Sequence, residues 1–292
     1  MAKELTIIGA TGSLSTRVTK QLMAHGMQLK IVARNPDKAR RLFGEDIDVV
    51  YGDVEDIGSL HKALAGSRAV YIHLNTEVVS PEITFYPERE GVANIVEAAE
   101  SNGVEHLIQI AGIESLQPDF FTNGVVMTEP IRRAGMERVS ASSIPHTFLS
   151  CSMFLDSFPR IVTDSTFAIF GNTKNRVHFT NTEQLATHLF HIAGNPRAFG
   201  RNIPVQGSQG IDIVTAAQMF FGAFEPSVQV VQLPMEALDG LGLPTEEAAF
   251  IAHVMSVTMG LQEVFISGEI HEEFGAPTLD ISQFASQLRE EQ

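Results

Sequence analysis

Residues Gly9-Ala10-Thr11-Gly12-Ser13-Leu14-Ser15 are the first stretch whose types and spacing could do chemistry. Two glycines three apart leave backbone N–H groups uncovered, and an apolar strand-like run precedes them while helical periodicity follows. That placement directs the N–H groups and the positive end of a helix dipole at a pyrophosphate. Gly9 permits the tight turn, and Gly12 removes the Cβ that would stand between backbone and phosphate. Ser15 holds the third position, where a small residue lets helix and strand pack closely. Thr11 and Ser13 add hydroxyl and amide donors. Gly9, Thr11, Gly12, Ser13 and Leu14 are therefore candidate phosphate-binding positions.

The end of the next predicted strand decides which nucleotide is expected. A carboxylate there would take a ribose 2′-hydroxyl. The chain has "IVAR" instead, ending in Arg34, with Lys38 four residues on. A guanidinium suits a 2′-phosphate, so the expected cofactor is NADP(H). Asp53 and Val54 follow the third strand and should lie beside the adenine, Asp53 accepting from its exocyclic amine or capping the next helix. His73, Leu74 and Asn75 close the fourth strand and should border the nicotinamide half. Ala111 and Gly112 end the fifth.

The elements that must position these residues alternate through the first half. Strand-like "LTIIG", "LKIVAR", "IDVVYGD", "AVYIHLN", "HLIQIAG" and "HTFLSCS" are each separated by a helical pattern. Such alternation predicts an α/β fold, a doubly wound parallel sheet covered on both faces. The expected division is residues 1–152 as the nucleotide-binding domain and 153–292 as a smaller C-terminal substrate lobe, some of whose segments can return to the first domain. Strands are expected at "STFAIFG", "NRVHFT", "NIPVQG" and "SVQVVQL", with a helix capped by Asp212 and a mainly helical tail from Thr245.

Composition excludes several function classes. The chain has 292 residues, 44% of them hydrophobic, enough for a full core. Its formal net charge of -15 argues against direct nucleic-acid binding. No apolar run is long enough for a membrane span, no signal-peptide pattern opens the chain, and the expected compartment is the cytoplasm. The single cysteine, Cys151, rules out an internal disulfide. His146 and His178 lack the companions of a metal site, and no metal is expected.

In "GATGSLS", "ARNPDK", "GDVEDIGSL" and "SSIPHTFLSCSMFLDSF" the chain resembles the NmrA-like branch of the atypical short-chain dehydrogenase/reductase family. "FTNTEQLATHL" and "EEFGAPTLDISQFASQL" extend the likeness over nearly the whole length. The resemblance implies a Rossmann-type domain binding NADP(H), with a small lobe closing over a substrate cleft. Members divide between reductases of quinones, dyes or enones and non-catalytic sensors of the NADPH/NADP⁺ ratio.

Carbonyl reductases of that superfamily pair a serine after the fifth strand with a Tyr-x-x-x-Lys motif, the tyrosine protonating the developing alkoxide. Here Ala111 and Gly112 stand at the serine's place, and Ser115 comes late. The tyrosines, Tyr51, Tyr71 and Tyr86, all precede the fifth strand. The basic or histidine position of NmrA-like proteins falls on Arg132, which could hold a ribose hydroxyl or substrate oxygen, or lie on a solvated helix face. Cys151, Ser152 and Phe154 follow the sixth strand as candidate substrate-lining residues. Phe158, Met219, Phe220 and Met255 could line an apolar cleft or simply fill core. The leading expectation is hydride transfer from NADPH to a small apolar or aromatic, quinone-like or conjugated acceptor. The alternatives are an NADP(H) sensor working through a protein partner, and a pathway enzyme with other chemistry on this fold; either a monomer or a homodimer would serve.

Overall fold

The computed structural model describes residues 4–76, 78–116, 118–242 and 245–291. Its strands are β1 (Glu4–Ile8), β2 (Gln28–Ala33), β3 (Asp48–Tyr51), β4 (Ala69–Ile72), β5 (His106–Gly112), β6 (His146–Cys151), β7 (Thr166–Phe170), β8 (Arg201–Val205) and β9 (Gln229–Leu233). The helices are α1 (Ser13–Ala24), α2 (Pro36–Phe43), α3 (Ile57–Ala63), α4 (Val92–Ser101), α5 (Glu129–Ser140), α6 (Thr182–Ile192), α7 (Ile213–Phe224), α8 (Thr245–Met259), α9 (Gly268–Phe274) and α10 (Ile281–Glu290).

Seven strands form one parallel sheet in the order β3-β2-β1-β4-β5-β6-β8. Apolar residues run almost unbroken through β1 and β4 because helices cover both faces. Val18 and Leu22 of α1, Phe43 of α2 and Leu185 of α6 pack on one face. Leu60 of α3, Val96 of α4 and Val139 of α5 pack on the other. Strand order reverses between β1 and β4, which opens a crevice at their carboxyl ends, the place where doubly wound folds take ligands.

The later half divides its elements between two bodies. α6 and β8 return to the main sheet, so that β8 is its edge strand beside β6. β7 and β9 form a separate two-stranded parallel sheet, over which α7 and α10 build a third core. Phe158 sits at its centre, with ring centroids 5.0 to 5.6 Å from Phe167, Phe179 and Phe220. Phe158 and Phe220 are thus core of the lobe and not cleft wall, while Met219 is partly buried against the same core. The segment "NRVHFT" forms no strand. It makes single bridges to two different segments, Val177 to Ile211 and Thr180 to Phe154, so no ladder develops. Asp212 caps α7 as expected, accepting from the Thr215 N–H at 2.9 Å.

Candidate cofactor and active site

The glycine turn lies directly in the β1/β4 crevice. His73 N–H donates to the Ile8 carbonyl at 3.0 Å and prolongs the β1–β4 pairing past the end of both strands. The chain at Gly9 then passes so close to His73 that a Cβ would overlap its carbonyl oxygen. Gly9 also has a φ of +89°, so both space and conformation demand glycine there. Gly12 differs, because its φ is -70° and an added Cβ would meet only the Gly9 oxygen at 3.4 Å. Its side is open, and this openness exposes the first turn of α1.

That turn is prepared for an anion. Side chains of Asn35, Asp56, Asn181, Asp212 and Asp280 cap α2, α3, α6, α7 and α10, whereas α1, like α4, α5 and α9, has no side-chain cap, and no acidic residue stands in its first turn. Its leading N–H groups are left for a ligand. Ser15 is buried beneath, as a small packing residue should be. Arg160, from the 3₁₀ turn Leu155–Ile161, donates from Nη1 to the Ser13 hydroxyl at 2.5 Å. Lys38 Nζ lies 3.5 Å from the Thr11 carbonyl, and Arg34 is exposed with no ion pair among the described residues.

Asp53 is half-buried at the end of β3, its carboxylate accepting from the Glu55 N–H at 3.1 Å. It is not the cap of α3. Asp56 takes that role, accepting from Ser59 N–H at 3.2 Å, because the chain turns once more before the helix begins. Val54 is anchored by Asn94, whose amide donates to its carbonyl at 2.8 Å. Leu74 packs on the second core, and Asn75 is exposed.

Polar groups gather at the ends of β4, β5 and β6. His73 Nδ1 is 2.9 Å from the hydroxyl of the fully buried Tyr71. Burial lowers the His73 pKa to about 4, with the nearby Arg132 charge acting in the same direction, so the ring is neutral at physiological pH. Arg132, on α5, is no solvated surface arginine. Its Nε donates to Glu88 at 2.7 Å and its Nη1 to Glu114 at 3.0 Å. Glu88 belongs to a π-helical turn, Pro87–Gly91, and its side chain is 2% exposed, whereas that of Glu114 is 12% exposed. The Glu114 carboxylate folds back over Gly112, where a Cβ would collide with it. Burial raises the Glu114 pKa against the pull of Arg132, and the carboxylates of Glu129 and Glu88 add to the rise. Arg133 instead pairs with Glu129 along α5.

Ser115 reaches the sheet after all. Its hydroxyl donates to the Gly112 carbonyl at 2.8 Å and meets Ser150 Oγ at 2.7 Å, which in turn bonds Asn202. Cys151 and Ser152 are buried. The Cys151 thiol pKa is pushed up by burial, and Ser152 Oγ donates to Glu263 at 2.8 Å. Glu263 also accepts from the His178 N–H and the Gln206 amide, tying the C-terminal segment to the end of β8. Phe154 is half-buried against the first core. No cluster of potential metal ligands occurs among the described residues, and no helix in them is long and apolar enough to cross a membrane.

Sequence reasoning missed Arg160, Glu88 and Glu114. No local pattern links residue 160 to residue 13, or residues 88 and 114 to 132, because each pair meets only through the sheet's crossovers.

A family model described as NAD(P)H-binding matches residues 9–188. An NAD(P)H azoreductase of Xenophilus azovorans is 21% identical over 247 residues, 82% of each chain. The triphenylmethane reductase of Citrobacter sp., solved with NADP(H), superposes with a TM-score of 0.76 at 21% identity, covering 98% of this chain and 99% of that one. The NADPH-dependent quinone oxidoreductase of Escherichia coli, solved with NADPH, gives 0.74 at 20% identity, covering 97% and 99%.

Proposed function

We propose, from the premise that the chain belongs to the NAD(P)H-binding family, that it is an NADP(H)-dependent reductase delivering hydride to an apolar, conjugated or quinone-like acceptor. The observation that carries this reading is the uncapped glycine turn, which opens between β1 and β4 beside the polar ends of β4, β5 and β6. When bound there, the nicotinamide supplies hydride, and the chain's own groups orient it and keep water out. Gly9, Thr11, Gly12, Ser13 and Leu14 would hold the pyrophosphate, with Arg160 adding a guanidinium from the later half. Arg34 and Lys38 would take the 2′-phosphate, and Asp53 with Val54 the adenine. His73, Leu74, Asn75, Ala111 and Gly112 would border the nicotinamide half. The azoreductase, dye reductase and quinone oxidoreductase named above support the acceptor class by likeness.

A second reading, an NADP(H) sensor without turnover, is favoured by one observation. Arg132 is already bound by two carboxylates and is not free to grip a substrate. Mixing purified protein with NADPH and a panel of quinones and azo dyes separates the two. Oxidation of NADPH above a protein-free blank supports the reductase. Tight binding of NADPH with no turnover on any acceptor supports the sensor, and failure to bind either dinucleotide sinks both.

A further inference from the structure

We infer that Glu114 is a catalytic residue, the proton donor of the reductive step, standing just after the end of β5 and taking the role of the absent tyrosine, with Arg132 and Glu88 as its positioning pair. The inference rests on the reductase reading above.

Three observations converge on it. The carboxyl group lies over Gly112, at the strand end where a carbonyl reductase carries its serine hydroxyl, and only the missing Cβ makes room for it. A single guanidinium serves two carboxylates: Glu88 holds it at 2.7 Å and is almost wholly buried, so that pair is neutral by itself. Glu114, at 3.0 Å and more open, is the surplus acid and the one a proton can join without leaving a buried charge unpaired. Its raised pKa accords with this balance. The charged and titratable groups facing the cluster are Glu129 beside Arg132 on α5, the Arg133 guanidinium paired with Glu129, the neutral His73 at the end of β4 and the buried Cys151 thiol of β6. None of them offers a better acid.

A quinone acceptor would gain a hydride, with its electron pair, from the reduced dinucleotide of the proposed function, and its displaced π electrons would move to a carbonyl oxygen. That oxygen takes the Glu114 proton to form the O–H bond. The carboxylate left behind is held by Arg132 and regains a proton from solvent.

The test compares wild type, Glu114→Gln and Glu114→Asp with NADPH and a quinone across pH. In E114Q kcat should fall about 100-fold, the scale of general acid catalysis, and the fall of kcat toward high pH should disappear. NADPH affinity, followed by its fluorescence, should stay within about two-fold, since Glu114 lies after β5, over Gly112, and not at the glycine turn. E114D should restore part of the rate together with the pH dependence, which a purely structural carboxylate would not do. Infrared difference spectra of the protein without acceptor should show a titrating carboxyl C=O stretch that E114Q lacks. A wild type that turns over while E114Q matches it in rate and pH profile overturns this inference alone. So do identical infrared titrations of the two proteins. A wild type that binds NADPH yet reduces no acceptor overturns the reductase reading and this inference with it.

Discussion

Arg34 comes from the end of β2 and Arg160 from the turn after β6, and the crevice asks different things of them. Arg34 is exposed, without an ion pair among the described residues and next to the helix-capping Asn35, and its proposed partner is the 2′-phosphate. Arg160 bonds Ser13 at the mouth of the uncapped helix, where the pyrophosphate would lie. Arg34→Ala should therefore weaken NADPH by about 10- to 100-fold, the value of a charged hydrogen bond, and leave NADH little changed. Arg160→Ala should weaken NADPH, NADH and ADP-ribose alike, by about five-fold for a solvent-screened contact. Calorimetric titration checks both. A loss confined to NADPH in the Arg160 variant would reassign that residue to the 2′-phosphate. The turn at Gly9 was legible in the sequence because its requirement is local, a conformation and a close approach that only glycine allows. Glu114 was not, since its meaning depends on Arg132 arriving from a helix eighteen residues on.

At the scale of elements, the cofactor turn depends on how α1 is held. Arg17 of α1 donates through Nε to Asp156 at 3.2 Å, and Asp156 also accepts from the N–H and hydroxyl of Thr182 at the start of α6, at 3.0 and 2.7 Å. This buried carboxylate binds α1, α6 and the turn carrying Arg160 into one unit. Asp156→Ala should destabilise the protein by about 2–3 kcal/mol, read by urea unfolding, because it strands several buried donors at once. It should weaken NADPH as well, since Arg160 sits four residues on. Alternation of strands and helices was legible through hydrophobic period, and Asp212 read correctly as a cap. "NRVHFT" did not, because its alternation met no partner strand, and the π turn at Pro87–Gly91 has no periodic signature.

At the scale of the whole molecule, acid should be more damaging than the composition suggests. His106 accepts from the Gly194 N–H through Nδ1, so its Nε2–H donates to Thr147, and the ring must be neutral. Neither nitrogen of the fully buried His188 makes a well-formed hydrogen bond among the described residues, and only the Gln184 backbone favours the charged ring, against a larger cost of burial. Burial lowers the pKa of each to about 4, with His146 and His271 as the nearest charges pushing the same way. A folded pKa below the unfolded value of about 6.5 means the contribution is full above that pH and is lost as pH falls toward 4. Each histidine can account for up to about 3 kcal/mol. The melting temperature should therefore fall steadily from pH 6.5 to 4.5, and His188→Leu should flatten that decline. An unchanged slope in the variant would remove His188 from the account.

The sequence by itself determined the parallel α/β sheet and the phosphate turn, and Arg34 made NADP(H) the expected cofactor. These follow from short-range physics: hydrophobic period, backbone freedom at glycine and charge at a strand end. Tertiary structure alone decided that Arg132 is held between Glu88 and Glu114, that Arg160 stands over Ser13, and that α6 and β8 belong to the main sheet. Those outcomes depend on which elements become neighbours after the crossovers, and on the balance of several charges in one buried place. Neither is encoded within the span of a motif.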